Sequence, residues 1–393
     1  MERPRSIICW LGLAVLIIGM GLLFPAVIQA AEPADEAYTE FTEIDTREVY
    51  VRGEVVRILG EEELDDALDW EMNQGMIMQI VEVSLANPYA DQKITVEHTA
   101  SKTNPILGSS LTPGDKVIVF ANIDSQNQIV EAFIANPNRS GTVKAMVLAF
   151  MAVLIILGGR KGLGALFTIM LTGVLLWFWL IPSILNGASP TWCGALVCAV
   201  VALVGTPMIS GFNRTSMAAI LGSIAGVILA GVLASLAGGS ADIIGVDYEH
   251  ANLLLSMPAT ANLNLQGIFL AGVLIGALGA VMDTSISIAS AIREFAEIHG
   301  SPTRYNLWRA GMNVGKDVMG MMSSTLILAY TGGALALLLL LVANNIPALN
   351  IMNWDMIVSE IIRSLAGSIG LCLSIPVTAL AASYLVGKKT EEG

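Results

Sequence analysis

Residues 266–292 read QGIFLAGVLIGALGAVMDTSISIASAI, and this stretch decides what kind of protein the chain forms. A bilayer core about 30 Å thick needs roughly 20 apolar residues in a helix. The run exceeds that length with a single ionisable residue, Asp283. Seven further stretches meet the same test, approximately 7–30, 142–159, 163–185, 190–210, 216–237, 318–343 and 357–386. The chain therefore reads as an α-helical polytopic membrane protein. An N-terminal apolar segment (1–30) precedes a domain at 31–140, a seven-helix bundle at 141–387 and a short tail at 388–393.

Composition agrees, once divided. Charged residues make up 13% of the chain, about half the share in an ordinary soluble domain. Residues 32–139 hold 21 acidic and 7 basic side chains, a net charge of −14, while the rest of the chain nets +1. The acidity belongs to one segment. Such a segment repels nucleic acid, so that class of partner is excluded.

Met1-Glu-Arg-Pro-Arg5 precedes the first apolar run, and Ile28-Gln-Ala-Ala31 ends it. This fits a signal peptide cleaved after Ala30 or an uncleaved anchor; both put the following residues outside. With 31–140 outside, the loops expected in the cytoplasm hold Arg160, Lys161, Arg214, Arg293, Arg304, Arg309 and Lys316, and the tail adds Lys388 and Lys389. The expected outer loops, near 186–189, 238–265 and 344–356, hold no Lys or Arg. Lys144 is the one exception to this positive-inside pattern. The expected location is a cell membrane, with the C-terminus cytoplasmic.

The acidic segment shows strand periodicity at Arg47–Leu59, Met76–Leu85, Gln92–Thr99, Lys116–Asn122 and Gln128–Ile134. Pro113-Gly-Asp115 supplies a turn. Five strands in this length suit a small all-β, OB-like barrel. The run Glu61-Glu-Glu-Leu-Asp-Asp66 reads as a solvated loop, since it lacks the ligand spacing of a calcium loop. His98 reads as a satisfied, half-buried histidine. Cys9, Cys193, Cys198 and Cys372 all fall in apolar stretches, which points to packing rather than disulfides or metal. No metal site or cofactor is expected.

Ionisable groups inside spans are costly and become candidates for function. Asp283 lies about 15 Å along its helix from Arg293. Ser287 and Ser290 share its face, and Gly272, Gly276 and Gly279 form a small-residue seam on the same helix. Function for Asp283 competes evenly with a purely structural hydrogen bond. Glu360 and Arg363 make an i,i+3 pair, for which anchoring is the stronger reading. Lys316 and Asp317 are expected to start the seventh stretch at the inner face. Gly332-Gly333 follow Tyr330-Thr331 and would either unwind the helix, as in broken transporter helices, or allow tight packing. Pro376 should kink the last helix. Asp242, Asp247, Glu249 and His250 crowd one outer loop, weak grounds for a cation site. Gly222 and Gly226 form a packing seam, and Ser301–Val314 reads as an interfacial amphipathic connector.

Three segments carry a resemblance: Gly276-Ala-Leu-Gly-Ala-Val-Met-Asp283-Thr-Ser-Ile-Ser-Ile-Ala-Ser290, Gly311-Met-Asn-Val-Gly-Lys-Asp317-Val-Met-Gly320, and Glu360-Ile-Ile-Arg-Ser-Leu-Ala-Gly367-Ser-Ile-Gly370. With Thr325-Leu-Ile-Leu-Ala-Tyr-Thr-Gly332, they make residues 142–386 resemble the bacterial YibE/F family. The resemblance implies a multi-spanning membrane protein and supplies no catalytic residues. It favours one polar site built from Asp283, Asp317, Glu360 and Arg363.

No Walker, HExxH or GxSxG motif is present, so an enzyme is not expected. The leading expectation is a permease for a small solute or ion with a buried carboxylate. Asp283 and Ser287 would bind the cargo, while Thr325 and Tyr330 line the path. The alternative is a non-catalytic envelope assembly factor or sensor whose outer domain binds a protein or glycan. Expected partners are the lipid bilayer and a second copy or a related membrane subunit.

Overall fold

The computed structural model describes residues 46–63, 76–89, 92–101, 108–124, 128–257, 260, 263–300 and 302–387. The N-terminal apolar segment, Cys9, Leu64–Asp66 and the 388–393 tail lie outside these. Two compact units part between Phe150 and Met151.

The first unit is one antiparallel sheet of β1 (Thr46–Glu63), β2 (Met76–Leu85), β3 (Lys93–Ser101), β4 (Lys116–Asp124) and β5 (Ile129–Pro137). Its order is β3-β2-β1-β4-β5, with the long β1 in the centre. The outer strands β3 and β5 curl toward each other, giving a half-barrel. Alternation explains the core: Val81, Val83, Val117 and Val119 point inward and cluster with Val51, Val55, Leu85, Val96 and Leu111. Gln79 is buried among them; its Oε1 accepts from the Leu111 amide at 2.8 Å.

The acidic run corrects an expectation. Glu61, Glu62 and Glu63 are not loop but the end of β1, opposite Gln79, Met78 and Ile77. Register shifts between Val55 and Arg57 and between Ile58 and Gly60 bend β1, which is paired with β2 from Gly53 to Glu63. His98 matches its reading: it is half-buried, with Nε2 3.1 Å from the Ser109 carbonyl oxygen.

The remaining elements are helical. α1 (Ser140–Leu175) continues through a π-helical turn at Leu176–Leu180 into α2 (Ile181–Leu185). Then come α3 (Pro190–Ser210), α4 (Arg214–Ser240), the short α5 (Tyr248–Ser256), α6 (Leu265–His299), α7 (Arg304–Gly333), α8 (Leu335–Ala343), α9 (Ala348–Ile351) and α10 (Asp355–Gly387). Among the described residues, five helical stretches are long and apolar enough to cross a membrane, and α7 with α8 makes a sixth, bent by 57°. The expected spans 142–159 and 163–185 fall on one helical stretch, broken at Gly159. There φ is +51° and ψ −125°, a conformation suited to glycine. The Cβ position of Gly162 falls against the Leu154 carbonyl, which a straight helix would hold about 12 Å away along its axis. The chain therefore turns sharply at this point.

Ser301–Val314 is also corrected. From Arg304 onward it forms the first turns of α7, not a separate surface connector. Leu307 is buried with Trp308 and Met312 packed beside it, against Ile288, Ile292 and Ala379. Its amphipathic pattern is that of a helix with one face in the bundle. Lys316 and Asp317 consequently sit in the interior of α7, away from its start. Pro376 lies inside α10, which remains a single helix.

Candidate functional site

Small and hydroxyl-bearing residues sit at the closest helix contacts of the bundle. Gly222 and Gly226 on α4 bring that helix against α6 and α10: the Cβ position of Gly222 meets Thr378 and Ser285, and that of Gly226 meets Val281, Ser374 and the Gly370 carbonyl. The Thr378 hydroxyl donates to Ser285 Oγ at 3.1 Å. On α7, Gly311 packs on Ile292 and Ala379, and Gly315 on Ile375. Glycine at these points removes the side chain that would hold the backbones apart. Cys193 and Cys198 are buried in the neighbouring apolar cluster, as expected.

Three of the seven expected site residues meet where α6, α7 and α10 come together. Arg363 Nη1 donates to Glu360 Oε1 at 3.0 Å. The guanidinium carbon lies 5.5 Å from the Phe269 ring centre and 6.0 Å from that of Tyr330. Arg363 Nε is buried with no hydrogen-bond partner among the described residues. The Tyr330 hydroxyl occupies the space a side chain at position 276 would need, so Gly276 is what admits it.

One turn beyond Tyr330 the helix breaks. Ala334 has φ −89° and ψ 5°, and nothing lies within 4 Å of the Cβ positions of Gly332 or Gly333. Of the two readings of this glycine pair, tight packing fails and the break stands. A cavity of about 320 Å³ lies against the break, lined by Tyr330, Thr331 and Ala334 with Glu360, Ser364 and Leu365.

The other four expected residues are not gathered into this cluster. Asp283 lies seven positions beyond Gly276 on α6, about 10 Å along the axis. It is exposed, not buried: Gly272, Gly276, Gly279, Asp283 and Ser287 form one uncovered stripe, while Val281, Met282, Thr284 and Ser285 are buried. The small residues that read as a contact seam leave that face open at Gly272 and Gly279 among the described residues, and Tyr330 approaches at Gly276. On α7, Asp317 and Thr325 are exposed, and the Thr325 hydroxyl donates to the Met321 carbonyl at 2.9 Å.

Sequence reasoning missed Asp355 at the start of α10. Its carboxylate accepts from the amides of Ile244 and Gly245 at 3.0 and 3.1 Å, tying the α4–α5 loop to α10. An acid in the first turn of a helix was the available signal. At the start of α5, His250 Nδ1 lies 3.0 Å from Asp247 Oδ2. Among the described residues no group of His, Cys, Asp and Glu is arranged to hold a metal ion.

Residues 146–388 match the family described as YibE/F-like protein, which covers more than half the chain and all seven site residues. The chain belongs to the YibE/F-like family. Comparison with curated proteins and with solved structures finds no match. The β unit lies ahead of the matched range, so the polar cluster belongs to the YibE/F-like portion and the half-barrel does not.

Proposed function

We propose that this YibE/F-like protein is a permease for a small solute or ion, and not an enzyme. The observation that carries the reading is a broken helix beside a charged pair inside an apolar bundle. Ala334 at the break, Tyr330 and Glu360 border one cavity, and Arg363 pairs with Glu360 beside it. Broken helices expose backbone carbonyls at membrane depth, and such exposure is tolerated where it lines a protein cavity. The uncovered Asp283 stripe supports the same reading. A carboxylate facing hydrocarbon is costly, so that face is served by water, cargo or protein. Asp283 and Ser287 bind a cation or proton, and Thr325 and Tyr330 line the path. A second copy, or a related membrane subunit, closes the stripe from lipid.

Seven crossings follow if the helix broken at Gly159 counts as two spans and the bent α7–α8 pair as one. The sorting of Arg and Lys favours residues 31–140 outside and the C-terminus in the cytoplasm. The strand order β3-β2-β1-β4-β5, with its edges approaching, supports an OB-like barrel.

One observation favours the second reading, an envelope assembly factor or sensor. Tyr50, Phe120 and Phe133 are cross-strand neighbours on the face opposite the core, with ring centres 5.2 and 4.7 Å apart in sequence along the row. Tyr50 and Phe133 are exposed. Such a row suits stacking against a sugar or an apolar protein surface.

The test compares a deletion strain with an Asp283→Asn strain for cellular solute and metal content, with protein level in the membrane measured in parallel. The same solute should change in both while the variant protein remains at its normal level. Unchanged content in the Asp283→Asn strain removes Asp283 from the mechanism. No solute change in the deletion strain, alongside an envelope defect, replaces transport with the second reading.

A further inference from the structure

A polar cavity far along the bundle from the Tyr330 cluster is not used by the transport reading. It has a volume of about 580 Å³ and lies where the start of α4 meets the ends of α6 and α10. Arg214 and Thr215 come from α4, Arg293 and Glu297 from α6, and Leu385 and Val386 from α10. Both arginines are exposed. Arg293 Nε and Glu297 Oε1 are 3.8 Å apart, too far for a hydrogen bond, so the pairing is loose. One carboxylate against two guanidiniums leaves the cavity net positive.

Thr215 points to a ligand. The residue is only 4% exposed, it lines the cavity, and its hydroxyl has no hydrogen-bond partner among the described residues. Turned to the cavity, this hydroxyl can pair with a polar group that fills it. The first turn of α4 adds to this. Asn213 Oδ1 takes the Ser216 amide at 2.9 Å, which leaves the amides of Arg214 and Thr215 without intrahelical acceptors. An oxyanion is the group that answers two guanidiniums, a hydroxyl donor and a helix N-terminus together. The opposite wall, Leu385 and Val386, is hydrocarbon.

We propose that this cavity binds a phosphate oxyanion carried by an anionic phospholipid, with its glycerol and acyl portion against Leu385 and Val386. The position at the ends of three long apolar helices is headgroup depth, where basic pockets between helices recruit anionic lipid. Free phosphate shares the oxyanion chemistry but leaves the apolar wall unused.

The full-length protein, purified with its lipids, is delipidated, mixed with phosphatidylglycerol or phosphatidylcholine, and examined by native mass spectrometry. Phosphatidylglycerol should be retained over phosphatidylcholine. The Arg214→Gln/Arg293→Gln variant should weaken its retention roughly thirtyfold, the loss expected for two surface arginines. Thr215→Val should weaken retention while Thr215→Ser restores it, which separates a ligand contact from a packing role. Because both arginines are exposed, their replacement should leave the detergent-solubilised protein monodisperse. Equal retention of the two lipids overturns the proposal, as does a double variant that binds like the parent. Displacement of phosphatidylglycerol by inorganic phosphate alone would make the site one for the free ion and overturn the lipid assignment.

Discussion

The half-barrel core is almost wholly apolar, whereas the helical bundle buries small and hydroxyl-bearing residues alongside its apolar ones. In the half-barrel Ile77, Val81, Val83, Val117 and Val119 are inside. In the bundle Ser223, Thr284, Ser285, Ser374 and Thr378 are fully buried beside Gly222, Gly226 and Gly370, while Leu221, Ile228, Leu236, Leu328 and Leu339 face outward. In water, apolar surface is what must be hidden. Against lipid that force vanishes between helices, and close backbone approach with interhelical hydrogen bonds takes over. The same solvent argument explains why the uncovered Asp283 stands out in one unit when any of the exposed glutamates of the other would not.

The largest expected effect breaks this comparison at its tightest point. Gly222→Leu puts a branched side chain where even a Cβ meets the Thr378 hydroxyl. The expected loss is at or above the ~3 kcal/mol upper end of ordinary overpacking. It should appear as loss of monodisperse protein after mild heating in detergent. Gly239→Leu, on the same helix with nothing within 4 Å of its Cβ, should be tolerated. If both variants survive equally, small-residue packing does not hold the bundle.

The half-barrel offers the converse. Gln79 is a buried amide side chain in a largely apolar core, and Gln79→Ala strands the buried Leu111 amide. The expected cost is about 1–3 kcal/mol, read as a lower denaturant midpoint for the β signal of the full chain. Gln79→Met keeps the length and should cost a similar amount. A neutral Gln79→Met would show that the hydrogen bond contributes little and that volume alone matters.

These contrasts also explain what was legible in the sequence. The alternation of β2 gave Met76–Leu85 residue for residue, because one face meets core and the other meets water. Hydropathy located α3 at 190–210 equally well. It could not say which faces of α4 or α6 meet, since both the lipid side and much of the core are uncharged. That is why Asp283 reads as buried from depth alone, yet sits on an uncovered stripe. It is also why Arg304–Val314 reads as a surface helix. The extension of β1 through Glu61–Glu63 was hidden for a different reason: three carboxylates in a row look like a loop, and only pairing with β2 keeps them extended. Within the site, Glu360 and Arg363 were legible because their spacing of three fixes them on one helix face. Their meeting with Tyr330 and Phe269 depends on tertiary packing and was not.

That pair supports the finest test. Its side chains are 29% and 25% exposed, between the fully wet and fully dry limits. An i,i+3 pair with that much solvent access should show a coupling of about 0.5 kcal/mol in a double-mutant cycle of Glu360→Gln and Arg363→Gln. The single variants should not be equal. Glu360→Gln removes one hydrogen-bonded charge, whereas Arg363→Gln also removes the cation near the Phe269 and Tyr330 rings, worth about 0.5–1 kcal/mol more at a partly exposed site. Thermal unfolding in detergent at fixed lipid content measures both quantities. Equal losses would mean that the rings contribute nothing. A coupling of several kcal/mol would mean that the pair is shielded like a buried one, which makes it part of the bundle's scaffold instead of a responsive element beside the break.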